Sequence, residues 1–191
     1  MHKILIVPIF LWFTFVQAQE KPYFYDIPSA PDTYSAAGVS ARLVDGLGFR
    51  YFWATEGLTD SDLNFKPSDE ARTSLQTIEH IYGLTTVLLN TVRKQPTGKS
   101  DQPVGFEKLR EGTLENLRQA SLLLRQSDAN PEEMLMIFER ANGNAEYPFW
   151  NLVNGPISDA LWHVGQVVSF RRSSGNPLPS GVNVLQGKKY D

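Results

Sequence analysis

Three residues of this sequence have side chains and spacing that suit metal chemistry: His80, Asp159 and His163. Asp159 precedes His163 by four positions, so in a helix the two side chains lie one turn apart on the same face. At about 100° per residue, His80 and His163 both fall at the edge of the apolar arc of their predicted helices. Two imidazoles and a carboxylate can give one divalent ion three ligands and leave other coordination positions open, as a catalytic metal site requires.

The spacing leaves two structural explanations open. Asp159 could occupy the first turn of a helix that begins at Pro156, where the helix dipole favours an acid. It could also form only a hydrogen bond with His163, in a group without metal. An inward-facing carboxylate needs a partner in each of these cases, because burying it unpaired is costly.

The sequence also suggests roles for five other residues. Glu79, Glu146 and Gln166 are candidates for supporting the ligands or transferring protons. Trp150 and Trp162 are predicted to pack in the core rather than to form a substrate cage. The sequence contains no Gly-rich phosphate loop and no Ser nucleophile motif.

The composition excludes several classes of function. There is no Cys, which rules out disulfides, thiolate metal ligands and a cysteine nucleophile. The formal net charge is −3 at pH 7 and no basic patch stands out, so nucleic-acid binding has no electrostatic support. With 191 residues, 41% of them hydrophobic, the chain is predicted to form one domain with a substantial core.

Residues 1–18 have the layout of a secretory signal peptide. Lys3 supplies a basic start, residues 4–16 are almost entirely apolar, and Ala18 is a small residue at an acceptable cleavage site. Cleavage after Ala18 would leave Gln19 as the first residue of a periplasmic or secreted protein. The alternative is an uncleaved membrane anchor, for which the apolar run is short. No membrane association is expected once the peptide is removed.

Hydrophobic periodicity predicts an all-α fold, a four-helix bundle over residues 35–175, with an extended lead-in (19–34) and an extended tail (176–191). Thr73 and Gln76 form a capping-box pattern at the start of the second helix, and a polar loop is predicted for residues 59–70. The short apolar run Met134–Phe138 is compatible with either a strand or a helix. The four predicted helices cover residues 35–58, 73–95, 104–126 and a last segment that begins at Phe149 or Pro156 and ends at Arg172.

Two stretches of the sequence resemble a known family. "YFWATEGLTDSDLNFKPSDEARTSLQTIEHIYGL" (Tyr51–Leu84) resembles the start of DinB-like proteins, the DinB/YfiT-like group, with an aromatic first helix and a second helix carrying Ile-x-His. "ISDALWHVGQVVSFRR" (Ile157–Arg172) resembles the last helix of that family, in which a His-x3-His pair is followed by Gly-Gln or a similar pair.

This resemblance implies a four-helix bundle that binds a divalent metal, zinc or nickel, through three His. His80 matches the ligand on the second helix, and His163 matches the second His of the pair on the last helix. Asp159 stands where the family has the first His of that pair, and a carboxylate in place of an imidazole changes the charge and softness of the site. The family includes thiol-dependent transferases and isomerases as well as members without known activity.

Three hypotheses follow for the function. The first is an exported metal-dependent hydrolase or thiol-dependent transferase that acts on a small molecule. The second is a non-catalytic bundle that binds a metal or small ligand. The third is a metal-free bundle that acts by interaction, with a homodimer as the expected assembly. For the metal site, the three side chains are expected to lie within about 3–4 Å of one another, and a separation of His80 and His163 beyond about 8 Å would exclude it.

Overall fold

The computed structural model describes residues 21–99 and 101–190, so the predicted signal peptide, residues 1–18, lies outside the described residues. The described chain is mostly helical, in agreement with the predicted all-α class. None of its helices combines the length and apolar character needed to cross a membrane. The helices are α1 (Ala36–Thr55), α2 (Asp60–Asn64), α3 (Ser74–Val92), α4 (Phe106–Leu124), α5 (Phe149–Leu152) and α6 (Ser158–Ser173), and the short strands are β1 (Met136–Phe138), β2 (Ala145–Tyr147), β3 (Val182–Asn183) and β4 (Lys188–Lys189).

Side chains at the helix starts fix where α2 and α3 begin. The capping box predicted for α3 is present: the Thr73 hydroxyl accepts from the Gln76 N–H, and the Gln76 side chain accepts from the Thr73 N–H. Thr59 and Asp62 form the same reciprocal pair at α2. The loop prediction for residues 59–70 was therefore wrong over α2, because this local cap stabilises one helical turn within a polar stretch.

The four long helices surround one hydrophobic core. α1 packs against α4 and α6, and α3 also packs against α4 and α6. Each fully buried Leu or Ile side chain in this core contributes about 2 kcal/mol through the hydrophobic effect. Residues at the centre of the core include Val44, Leu47, Ile78, Ile81, Leu117 and Val164.

Contacts between α1 and α4 show that these helices run in opposite directions. Arg110, near the start of α4, donates from Nε to Thr55 Oγ1 at the end of α1 (3.0 Å). Ser121, near the end of α4, donates to the Asp45 carboxylate in the first half of α1 (2.5 Å). The buried Asp45 also pairs with Arg125, which completes a polar link across this interface.

Similar contacts give the direction of α3 relative to α4 and the direction of α6 relative to α1. Asn116 of α4 donates to Thr86 of α3 (3.2 Å), and Gln119 accepts from Arg93 further along both helices, so α3 and α4 run in the same direction. The connection between α3 and α4 must therefore return along the length of the helices. At the end of α6, Arg171 donates to the Trp53 carbonyl at the end of α1 (2.9 Å), so α1 and α6 are also parallel.

The last helical segment begins at Phe149 and continues without a break into α6 through a π-helical turn, Val153–Ile157. Pro156 lies inside this turn, so the alternative in which Pro156 opens the helix is wrong. Pro has no N–H for an intrahelical bond, and the single π-turn lies at the point where this donor is missing. The turn also shifts the helical phase before Asp159.

Two hairpins complete the chain. Met136–Phe138 forms β1, which pairs with β2 in antiparallel register, so the ambiguous apolar run is a strand. The predicted extended tail instead contains the β3–β4 hairpin. Its turn is stabilised by the Asn183 side chain, which accepts from the N–H groups of Leu185 and Gln186, and by Gly187 at a φ of 65°.

Candidate metal centre

His80 is placed at the border between core and solvent by its position on α3. Ile78 and Ile81 flank it in sequence and are fully buried, which orients the core face of the helix. The ring of His80 leans toward α6, the helix that packs beside α3. Its side chain is 35% exposed, in agreement with the apolar-edge position predicted from the helical wheel.

Asp159 and His163 occupy consecutive turns of α6, on the side that faces α3. The side chains of His163 and Asp159 are 13% and 42% exposed. The Asp159 carboxylate was expected to face the interior, but its side chain is only partly buried and water reaches it. Burial cost alone does not force this carboxylate to take a partner.

The structure brings the three side chains together. His80 Nε2 lies 3.2 Å from Asp159 Oδ2, and His163 Nε2 lies 3.3 Å from Asp159 Oδ1. One donor atom from each residue can be chosen so that all three lie within 4.8 Å of one another. The two imidazole rings meet edge to face, with centroids 4.7 Å apart and an angle of 87° between the planes.

These distances are close to those of a tetrahedral metal site. Bonds of about 2.0–2.2 Å at tetrahedral angles separate ligand atoms by about 3.4 Å. Both carboxylate–imidazole distances fall in the expected range of 3–4 Å, whereas the widest separation in the group, 4.8 Å, is larger than expected. Small side-chain rotations would therefore be sufficient to gather the donors around an ion.

The side chain of Gln166 favours one tautomer of the His163 ring. His163 Nδ1 lies 2.7 Å from Gln166 Oε1, and a carbonyl oxygen can only accept, so this orientation places a ring proton on Nδ1. A neutral ring with that proton carries a lone pair on Nε2, the nitrogen that faces Asp159. Of the two imidazole–carboxylate contacts, only the one made by His80 has the geometry of a hydrogen bond.

This arrangement fits a divalent cation by the chemistry of its donors. Two imidazole nitrogens and a carboxylate oxygen are ligands that zinc and nickel accept, and a cation held by them would also offset the negative charge of the carboxylate. A metal-ligating His usually donates its other ring N–H to an oxygen acceptor, which is the role that Gln166 plays here. Gln166 was among the residues predicted to support the ligands, and it contacts His163. Among the described residues, the side chains of Glu79 and Glu146 form no hydrogen bond or ion pair with the three candidate ligands.

The solvent side of the site carries an exposed aromatic residue. Trp162 shares the helical stripe of Asp159, His163 and Gln166 and is 73% exposed, and Trp150 is 77% exposed. The prediction that both Trp side chains lie in the core was wrong. The core is already filled by aliphatic side chains and by aromatic residues of α1, so these two rings remain in solvent.

A second polar cluster, which the sequence did not predict, lies at the far end of α6. Arg171 is buried and donates to the carbonyls of Trp53 and Ala54, so it caps α1 rather than its own helix. Burial lowers the pKa of Arg171, although the charges of Asp62 and Glu56 oppose that change. The cluster holds three segments together and contains no metal-ligand set.

Asp62 is the acid of this cluster. Burial alone would raise the pKa of the Asp62 carboxyl, but hydrogen bonds from Asn176, Ser174 and Thr59 outweigh it and hold the pKa well below its ordinary value. Asp62 therefore stays ionised and links α2 to the end of α6. No sequence signal identifies Ser174 and Asn176 as partners of Asp62, because they lie more than a hundred residues further along the chain.

No protein-family model matches this chain, and comparisons with curated proteins and with solved structures found no match either.

Proposed function

We propose that the four long helices form a DinB-like four-helix bundle and that the protein is an exported metal-dependent enzyme acting on a small molecule. Zinc or nickel would be held by His80, Asp159 and His163. The observation that carries this proposal is the convergence of two imidazoles and one carboxylate from α3 and α6, with the carboxylate partly open to water. Bundles commonly build metal sites from side chains on facing helices.

The chain's own residues supply the binding and orientation that such an enzyme needs. His80 and His163 offer Nε2, Asp159 offers a carboxylate oxygen, and Gln166 holds the ring of His163. Three protein ligands would leave further coordination positions open on an ion bound there. An ion bound there supplies Lewis acidity, on which both hydrolysis and thiol transfer depend. Of these two reactions, hydrolysis suits an exported protein better, because thiol cofactors are scarcer outside the cytoplasm.

Metal-dependent activity tests this proposal. The mature protein, stripped by chelator and reloaded with zinc, nickel or manganese, should turn over at least one substrate in hydrolase and thiol-transfer panels. Asp159→Asn should abolish that turnover, because it removes one ligand charge. Glu146→Gln is the matched control, since Glu146 is an exposed acid without a contact to the site. Metal binding without turnover in either panel would count against an enzyme.

A non-catalytic metal-binding bundle is the second candidate, and one observation favours it. Cavities of about 870, 780 and 430 Å³ are present, but His80, Asp159 and His163 line none of them. An enzyme usually holds its substrate in a concave pocket. If a bound ion takes all its remaining ligands from water and no panel substrate reacts, binding rather than catalysis is the function.

The metal-free alternative predicts a different result. In it, His80, Asp159 and His163 form only a hydrogen-bonded group, and the protein acts through an interaction such as a homodimer. The protein would then elute at dimer size with light scattering, and chelator would change neither its stability nor its elution. A monomer whose thermal stability rises with zinc would contradict this alternative.

A further inference from the structure

A groove with a volume of about 780 Å³ lies between α1 and α6, away from the three candidate ligands. Gly46 of α1 and Gly165 of α6 line it, together with apolar side chains of α6 such as Val164 and Val168. The volume falls in the range of small-molecule pockets, about 300–1,000 Å³. The groove is therefore large enough for a ligand with an extended apolar body.

The C-terminal hairpin forms a third wall of this groove. It is fixed to the lead-in, because the Ile27 N–H donates to the Gly187 carbonyl (2.8 Å) and the Lys189 N–H donates to Asp26 (3.1 Å). A side chain at Gly187 would collide with Ile27, so the two segments are closely packed. The tip of the hairpin contributes Val184 and Leu185 to the groove, and Leu185 is 92% exposed. The hairpin tip therefore exposes apolar side chains to water at the edge of the groove.

Among the residues that the structure describes, three arginines and no acidic residue line the groove. Arg42 donates to the Pro28 carbonyl and Arg50 to the Gly46 carbonyl, both neutral acceptors. Within residues 21–99 and 101–190, neither of these arginines nor Arg172 forms an ion pair with an acid. A net-negative protein therefore concentrates three uncompensated positive charges around one apolar cleft. That combination favours an anionic group on the ligand.

The arginines also give the groove a direction. α1 and α6 run parallel, so Arg50 and Arg172 lie toward the same end of the groove. Arg42 lies eight residues before Arg50, about 12 Å away along α1. The apolar side chains of α6 fill the stretch between the two ends. An anionic headgroup near Arg50 and Arg172 would leave its aliphatic body along this stretch.

Gly165 indicates that the space in the groove is not needed for helix packing. A Cβ built at Gly165 meets no atom within 4 Å. A Gly inside a helix costs about 0.5–1 kcal/mol relative to Ala, and among the described residues no close contact of α6 with a neighbour requires a Gly at this position. A larger side chain at this position would project into the groove without disturbing the core.

We infer that the groove between α1 and α6 binds an amphiphile with one anionic headgroup and an aliphatic body, such as a long-chain carboxylate. The arginines bind the headgroup, since a guanidinium matches a carboxylate in a two-point hydrogen bond. Val164, Val168 and the hairpin tip cover the aliphatic body. This site is separate from the proposed metal centre, and its occupancy does not depend on the metal.

Calorimetric titration of the purified protein with dodecanoate tests the inference, with dodecanol and dodecyltrimethylammonium as neutral and cationic probes of the same length. Dodecanoate should bind at one site, at least tenfold more tightly than either probe. Arg172→Gln should weaken dodecanoate binding about tenfold, which corresponds to about 1.4 kcal/mol, and leave dodecanol binding unchanged. Gly165→Leu should abolish binding of dodecanoate while the helical content is retained, and Gly165→Ala is its size control.

Three outcomes would overturn the inference. Equal affinity for dodecanoate and dodecanol would show that the arginines recognise no headgroup. Binding that survives in Gly165→Leu would place the ligand elsewhere. Absence of binding, combined with a dimer that Gly165→Leu converts to monomer, would identify a second copy of the chain as the occupant. His163→Ala should bind dodecanoate as well as the unaltered protein does, so failure of the metal proposal leaves this test intact.

Discussion

Replacing Gln166 with Leu removes the acceptor that holds the His163 ring, without touching a proposed ligand. In the structure, His163 Nδ1 lies 2.7 Å from Gln166 Oε1. Leu has a similar size but accepts no hydrogen bond, so the ring loses both its orientation and its preferred tautomer. Loss of such a supporting group typically weakens metal affinity 10–100-fold, or by about 1.4–2.8 kcal/mol. We expect Gln166→Leu to weaken zinc binding by that factor.

A competition titration against a zinc chelator of known affinity measures this change. Gln166→Glu retains an acceptor on the same side chain and should bind zinc at least as tightly as the unaltered protein. Ser169→Ala, one turn away on the same helix, controls for changes in α6, because the Ser169 hydroxyl donates to the Gly165 carbonyl and, among the described residues, forms no hydrogen bond with a candidate ligand. Unchanged zinc affinity in Gln166→Leu would refute the role given to Gln166.

The remaining predictions concern stability and export. The pKa of Asp62 is lower in the folded than in the unfolded chain, so Asp62 stabilises the fold above about pH 4 and loses that contribution as pH falls. Asp62→Asn should cost about 2 kcal/mol of unfolding free energy at pH 7, and much less at pH 2, in urea titrations. Arg171→Met should cost about 3 kcal/mol, since it leaves the carbonyls of Trp53 and Ala54 unpaired, whereas the exposed Arg172→Met should cost below about 0.5 kcal/mol. Mass spectrometry of the exported protein should find Gln19 at its N-terminus.

Each of these predictions has an opposing result. An Asp62→Asn variant with the same acid sensitivity as the unaltered protein would show that another group controls acid unfolding. Equal losses in Arg171→Met and Arg172→Met would refute the capping role of Arg171. An exported chain that retains residues 1–18 would identify that segment as a membrane anchor instead.

Local sequence signals predicted the long helices and part of the site. The Thr73–Gln76 cap appears in the structure as the sequence pattern predicts, because both partners lie within one helical turn. The adjacency of Asp159 and His163 follows equally from helical geometry. The approach of His80 depends on how α3 packs against α6, and it was predicted from the apolar-edge position of His80 together with the family resemblance.

Other features could not be predicted, because they depend on tertiary contacts. α2 is a single capped helical turn inside a polar stretch, and hydrophobic periodicity detects only longer helices. The exposure of Trp162 depends on which side of α6 meets its neighbours, and composition does not determine that. The arginines of the groove come from α1 and α6, so their shared cleft appears only after the two helices pack together.

Elemental analysis of the purified mature protein tests the proposed metal centre most directly. We predict about one zinc or nickel ion per chain in the unaltered protein. In His163→Ala, which removes one ligand and leaves the helix intact, the metal should fall to the level of the buffer. Absence of metal from the unaltered protein after incubation with zinc and nickel, or equal metal content in both proteins, would contradict a site formed by His80, Asp159 and His163.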